Sequence, residues 1–138
     1  MQKKVYSISG KMDVNWLPEA KAILDTWQSH AVTLDEFKTA VLDKGLTHLS
    51  MSSGNAYIVD SSRAVGVFSP EIQDFIANDV FQAFAKNGVK YFITVPPQHD
   101  ALAKITVRKY SSKAGPNGIQ LVEVGSLADA MEFLRDVK

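Results

Sequence analysis

The sequence predicts an α/β fold, with a mixed sheet of about five strands and four helices packed against it. Short segments rich in β-branched and aromatic residues alternate with segments whose apolar residues recur every three or four positions. Three of the four predicted helices begin directly after a Ser or Thr that can cap them. Two strands come first, three helix–strand pairs follow, and a helix ends the chain. This order is typical of a sheet with a parallel part covered by helices.

Composition narrows the class of protein. The 138 residues are 46% hydrophobic and 22% charged, so we expect a single domain, residues 1–138, with one substantial core. The net charge of zero provides no general attraction to nucleic acid. The absence of cysteine excludes disulfides and Cys-ligated metals. No signal peptide or membrane-spanning segment is recognisable, so a cytoplasmic location is expected.

The first part of the chain is predicted to form a hairpin and a helix. Residues 5–16 read as extended, "LPEA" at 17–20 reads as a turn, and residues 21–30 read as the second arm, although the same letters could form a helix. Thr33 and Glu36 have the spacing of a capping box at the start of the first helix. This helix either ends near Gly45 or continues to the loop at 50–54.

The remaining elements alternate regularly. "AYIVD" at 56–60 predicts a buried strand, and Ser69 with Pro70 begins the longest apolar helix, which ends near Gly88. "KYFITV" at 90–95 predicts the next strand, and residues 99–110 a helix. The last strand and helix are predicted at 119–124 and after Ser126. The apolar stripe of the 99–110 helix is expected to consist of Leu102, Ile105 and Tyr110.

Three segments in this order carry a family resemblance: "YIVDSSRAVGVFSPE", "FAKNGVKYFITVP" and "SLADAMEFL". With the elements between them they resemble the SpoIIAA-like, or STAS-like, small bacterial domains over roughly residues 10–137. The resemblance implies a sheet of about five strands, no enzymatic activity, and a role in binding a partner or a small ligand. CRAL-TRIO lipid-transfer proteins have a similar general topology.

The resemblance also implies candidate site residues. In anti-sigma-factor antagonists, an Asp ends the corresponding strand and a phosphorylated Ser begins the following helix; Asp60 and Ser69 match these positions. Here Phe68 precedes the serine and Pro70 follows it, which departs from the antagonist motif. The predicted interaction or ligand-binding residues are Asp60, Ser61, Ser62, Arg63 and Ser69, with Ser69 also the candidate phosphorylation site. The alternatives are that Ser69 only caps the helix and that Asp60 only binds loop amides.

Sequence motifs for catalysis or cofactor binding are missing. His30, His48 and His99 lack metal-ligand spacing and are expected on the surface. No nucleophile elbow and no phosphate-binding glycine loop is present. The sequence therefore predicts no catalytic residue, no metal ion and no cofactor.

Charge is unevenly distributed, since residues 86–113 contain six basic residues and only Asp100 as an acid. Lys104 and Arg108 share a helix face and are candidates for binding an anion, the alternative being a solvated face.

Two functions are consistent with these features. The first is a non-enzymatic, regulatory protein–protein interaction domain of the STAS-like kind, with a homodimer as one arrangement. The alternative is a carrier or sensor that binds a small molecule between the sheet and the helices. This molecule is apolar or lipid-like, with or without a negative charge.

Overall fold

Six strands form one mixed sheet in the order β1-β2-β3-β4-β5-β6 in the computed structural model, which describes residues 2–137. β1, β2 and β3 pair antiparallel, and β3 to β6 pair parallel. The strands are β1 (Lys3–Ile8), β2 (Met12–Leu17), β3 (Ala22–Trp27), β4 (Ala56–Asp60), β5 (Tyr91–Val95) and β6 (Gln120–Glu123). The predicted α/β class is confirmed. The sheet has six strands and not about five, because Gly10, at φ 74°, turns the first extended segment back into a hairpin.

Four helices connect and complete the sheet, as predicted. α1 covers residues 34–51, α2 residues 70–86, α3 Ala101–Ser111 and α4 Leu127–Asp136. A 3₁₀ turn, Ser112–Asn117, follows α3. α1 and α2 each contain a π-helical segment, Thr39–Leu46 and Ile76–Val80 respectively. α1 therefore continues past Gly45 to Met51, which is the longer of the two predicted alternatives.

The helices cover both faces of the sheet unequally. α1, α2 and α3 pack on one face, where buried side chains such as Trp27, Tyr57 and Phe92 form the larger core. α4 packs on the other face, where Ala130 and Leu134 contact a smaller apolar cluster. Neighbouring residues of β4 accordingly point to opposite cores, as expected for alternation along a strand.

The predicted stripe of α3 is confirmed at Tyr110 and wrong at its other two residues. Leu102 and Ile105 are 70% and 61% exposed, whereas Ala103, Val107 and Tyr110 are buried. Residues 103, 107 and 110 are spaced by four and three, so the sequence contained two apolar stripes that share Tyr110. Only the packing of α3 against the sheet decides which of the two is buried.

Candidate functional site

The carboxyl ends of three parallel strands meet at one edge of the sheet. β3 and β4 are in register at Thr26 and Asp60, and Asp60 is in register with Val95 of β5. In open α/β sheets, this edge is where ligands and partners usually bind. The loop of residues 61–69, between β4 and α2, lies at this edge and contains most of the predicted site residues.

The 61–69 loop is firmly attached to the core. Ser61, Ala64 and Phe68 are 1%, 1% and 2% exposed. Between these buried positions the loop exposes Arg63, Val65 and Val67 to solvent. The loop therefore holds apolar and charged side chains outward from a buried base.

Backbone hydrogen bonds fix the loop to the segment that follows β3. Val65 N donates to the Gln28 carbonyl oxygen at 3.1 Å, and His30 N donates to the Val65 carbonyl oxygen at 3.0 Å. Ser61 N donates to the Val95 carbonyl oxygen of β5 at 2.9 Å. The loop thus pairs like a short additional strand at its centre.

His30 holds the same loop through its side chain. It is only 2% exposed, which corrects the expectation of a surface histidine. Its Nδ1 lies 3.2 Å from the Gly66 carbonyl oxygen, and its Nε2 lies 3.2 Å from Ser61 Oγ. A carbonyl can only accept, so Nδ1 carries the proton and Nε2 accepts from the Ser61 hydroxyl. The ring also stacks on Phe68, with centroids 4.1 Å apart.

Burial controls the ionisation of His30. It lowers the pKa of His30 to about 4, and the hydrogen bond with the Gly66 carbonyl oxygen opposes only part of this shift. The imidazole is therefore neutral at neutral pH. Sequence reasoning missed this residue because its partners are 31 and 36 positions away.

Asp60 and Ser62 form a local turn beside an open pocket. Asp60 Oδ1 accepts hydrogen bonds from Ser62 N at 3.0 Å and from Ser62 Oγ at 2.7 Å. This matches the predicted alternative in which Asp60 binds a loop amide. The pocket has a volume of about 340 Å³. Its lining residues are Thr26, Trp27, Gln28, Asp60, Ser62 and Arg63.

Ser69 occupies the N-cap of α2. Its Oγ accepts a hydrogen bond from Ile72 N at 3.2 Å, and Pro70 takes the first helical position. Ser69 therefore caps the helix, which is the alternative to phosphorylation given by the sequence. Ser69 is exposed to solvent. Phosphorylation of Ser69 stays a prediction.

Replacement of Ser69 measures the cap. Ser69→Ala is expected to lower the free energy of unfolding by about 1 kcal/mol, because Ile72 N loses its acceptor. Ser69→Asp is expected to leave stability nearly unchanged, since a carboxylate caps well and favours the positive end of the helix dipole. Denaturant unfolding of both variants measures the difference. An Ala variant as stable as the unsubstituted protein would show that the hydroxyl contributes nothing as a cap.

The predicted anion-binding pair is engaged within the protein. Arg108 donates two hydrogen bonds to the Glu123 carboxylate of β6, at 2.8 and 2.7 Å. These bonds lower the pKa of Glu123, and the positive charge of Lys104 contributes further. Lys104 Nζ lies 3.5 Å from Gln98 Oε1. Arg108 is exposed, but its guanidinium already has a carboxylate partner.

A second feature lies inside the larger core, between the sheet and α1–α3. Here Tyr57 donates a hydrogen bond to Asp25 Oδ2 at 2.9 Å. Burial raises the pKa of the Asp25 carboxyl well above its usual range, and this hydrogen bond lowers it only in part. Asp25 Oδ1 and the Tyr110 hydroxyl are buried without a hydrogen-bond partner in the described structure. Both residues line a cavity of about 30 Å³, which is water-sized.

The cavity is surrounded mainly by aromatic rings, and residues of both π-helical segments contribute to its wall. Its lining residues besides Asp25 and Tyr110 are Trp27, Phe37, Val41, Tyr57, Val59, Phe68, Ile76, Val80, Phe81, Phe84 and Phe92. Sequence reasoning missed Asp25, which sits inside an otherwise apolar strand. An acid in such a strand is the one local signal that could have indicated it.

Residues 2–137 contain no group of three or more His, Asp or Glu side chains arranged to hold a metal ion. Within the same residues, no helix is long and apolar enough to cross a membrane. Comparisons of the chain with protein families, with characterised proteins and with solved structures found no match in any of the three.

Proposed function

We propose that this protein is a non-enzymatic regulatory domain of the STAS-like kind that binds a protein partner through the 61–69 loop. The observation that carries the proposal is the exposure of two valines on a rigidly held loop. Val65 and Val67 are 59% and 43% exposed. Both the N–H and the carbonyl oxygen of Val65 are hydrogen-bonded to the segment that follows β3. A loop that is already ordered loses little entropy on binding, so its exposed apolar side chains favour association.

The pocket beside Asp60 and Ser62 favours a partner that places a polar side chain into it. Arg63 lines this pocket, and its guanidinium has no hydrogen bond or ion pair within residues 2–137. An acidic side chain of the partner would form a charge-assisted pair with it. The family resemblance, which implies partner binding at the same loop, agrees with this surface.

Photo-crosslinking tests the proposal. A photo-crosslinking amino acid replaces Val67 in the full chain, expressed in its native cells, and one defined crosslinked protein is expected. The same replacement of Met51, which is 82% exposed at the end of α1, is the control and should give none. A product of twice the chain mass would identify a second copy as the partner. Identical product patterns from both positions, or none from position 67, would contradict the proposal.

The candidate phosphorylation site is tested in the same assay. Ser69→Asp places a negative charge directly after the loop while keeping the helix cap. If Ser69 is a switch, crosslinking from position 67 is lost in this variant although its melting temperature is unchanged. If Ser69 is only structural, crosslinking continues as before.

A second candidate function is binding of a small apolar molecule in the internal cavity. The apolar cavity wall favours the body of such a ligand. The two buried polar atoms without partners favour a ligand that also carries a polar group, because such atoms are usually hydrogen-bonded in folded proteins. The present cavity is water-sized, so a lipid-like ligand would require α1 and α2 to move outward. Native mass spectrometry of protein purified from its own cells distinguishes the two functions, since only this one predicts a bound mass.

A further inference from the structure

The solvent-facing side of α3 is unusual because aliphatic residues occupy it. Leu102 and Ile105 are 70% and 61% exposed, three positions apart, and Lys109 follows four positions later. These spacings place the three side chains on one side of the helix. We call Leu102, Ile105 and Lys109, together with Lys113 in the 3₁₀ turn, the α3 outer face.

Positive charge surrounds these aliphatic residues. Residues 101–119 contain Lys104, Arg108, Lys109 and Lys113, and no Asp or Glu. Glu123 engages Arg108, but the ammonium groups of Lys109 and Lys113 have no hydrogen bond or ion pair within residues 2–137. The α3 outer face therefore combines two protruding aliphatic side chains with two unneutralised cations.

We propose that the α3 outer face docks on the surface of an anionic lipid bilayer. Aliphatic side chains that enter the interface beside lysines that meet lipid headgroups are the chemistry of interfacial membrane binding. The shape agrees with this occupant, because a fluid interface accommodates a protruding helix face. A folded protein partner would instead need a groove of matching shape.

The acids nearby define how the protein lies on the bilayer. Asp100 accepts a hydrogen bond from Ala103 N at the start of α3 and stays at its amino end. Glu71, Asp74 and Asp79 belong to α2, next to α3. Their repulsion from anionic headgroups confines the contact to the α3 edge of the molecule, so that binding is weak and strongly reduced by salt.

Vesicle co-sedimentation of the full chain tests the docking. Retention is expected on phosphatidylcholine vesicles containing about 30% phosphatidylserine, and about a tenfold loss on raising salt from about 0.05 M to about 0.5 M. Lys109→Ala with Lys113→Ala is expected to lower the partition coefficient about 30-fold, at about fivefold per lysine. Leu102→Ser with Ile105→Ser is expected to lower it about tenfold or more.

Matched variants separate docking from general charge or hydrophobicity. Lys3→Ala with Lys4→Ala makes the same charge change at exposed positions of β1, which lies at the opposite edge of the sheet from β6. Met51→Ser removes another exposed apolar residue. Both should retain normal vesicle binding. Equal loss in these controls, equal retention on pure phosphatidylcholine, or no retention at low salt would overturn the proposal. Val65→Glu in the 61–69 loop should not affect vesicle binding, so this result is independent of the proposed partner.

Discussion

Acidification from neutral pH to pH 4 is expected to lower the free energy of unfolding by about 3 kcal/mol through His30 alone. The folded-state pKa of about 4 lies below the unfolded value of 6.5, so between these values the unfolded state binds more protons. His30 therefore contributes full stability above pH 6.5, and this contribution is lost as the pH falls towards 4. Both ring nitrogens of the charged imidazolium donate, so the Ser61 hydroxyl would have to turn and accept from Nε2, and the charge would be buried beside Phe68 away from water.

The measurement compares His30→Gln with the unsubstituted protein by denaturant unfolding across this pH range. Asp25, whose pKa is raised by burial, changes stability in the opposite direction, since its contribution is lost as pH rises. Asp25 is present in both proteins, so subtracting one pH profile of the free energy of unfolding from the other removes its contribution. His99→Gln, at an exposed position, is the control and should have the profile of the unsubstituted protein. If His30→Gln keeps the same acid dependence, His30 is not the titrating group.

Replacement of Gly45 by alanine is expected to lower the free energy of unfolding by about 3 kcal/mol. A Cβ at Gly45 would overlap the Tyr57 hydroxyl oxygen. Tyr57 is fully buried, and its hydroxyl is held by Asp25, so the ring cannot move aside without breaking that bond. The overlap outweighs the gain in helix propensity of about 1 kcal/mol for Gly→Ala.

A double-mutant cycle identifies the cause. Tyr57→Phe alone is expected to cost about 1–3 kcal/mol, because Asp25 Oδ2 loses its donor. In the double variant the overlapping oxygen is gone, and the next atom is the Ala40 carbonyl oxygen at 3.2 Å. Its stability should therefore be close to that of Tyr57→Phe, a coupling of about 3 kcal/mol. Additive losses would show that Gly45 is required for another reason.

Gly115→Ala provides the control for this cycle, because a Cβ there meets no atom within 4 Å. Its free energy of unfolding is expected to change little. Gly45 lies inside α1, which continues past it to Met51. The glycine does not end the helix; its missing side chain makes room for the Tyr57 hydroxyl of the sheet.

Local features of the fold could be predicted from the sequence. The Thr33 capping box, the Ser69 cap and the end of α2 just before Gly88, whose φ is 92°, all occur where the sequence placed them. The predicted second arm of the hairpin is β3, and the helix–strand alternation correctly indicated a parallel part of the sheet. Each of these signals depends on residues within about four positions of one another, so the sequence alone contains the information.

The candidate site could be predicted from the sequence only in part. Asp60 to Ser69 were assigned to one loop, which the structure places at the carboxyl edge of the sheet. Which side chains of that loop are buried could not be predicted, because its anchors come from His30 and from the backbone near Gln28. Contacts across more than 30 residues leave no periodic pattern in the sequence.

Side-chain burial was decided by the tertiary structure for the same reason. The sequence of α3 contains two apolar stripes, and packing on the sheet buries Ala103, Val107 and Tyr110 while leaving Leu102 and Ile105 in solvent. Asp25 is likewise buried only because the larger core, including Tyr57, closes over its side of β3. The sequence by itself determined the type and order of most elements, through hydrogen bonds and side-chain preferences between near neighbours. Only the tertiary structure decided which faces are buried, because burial depends on the area that distant elements remove from water.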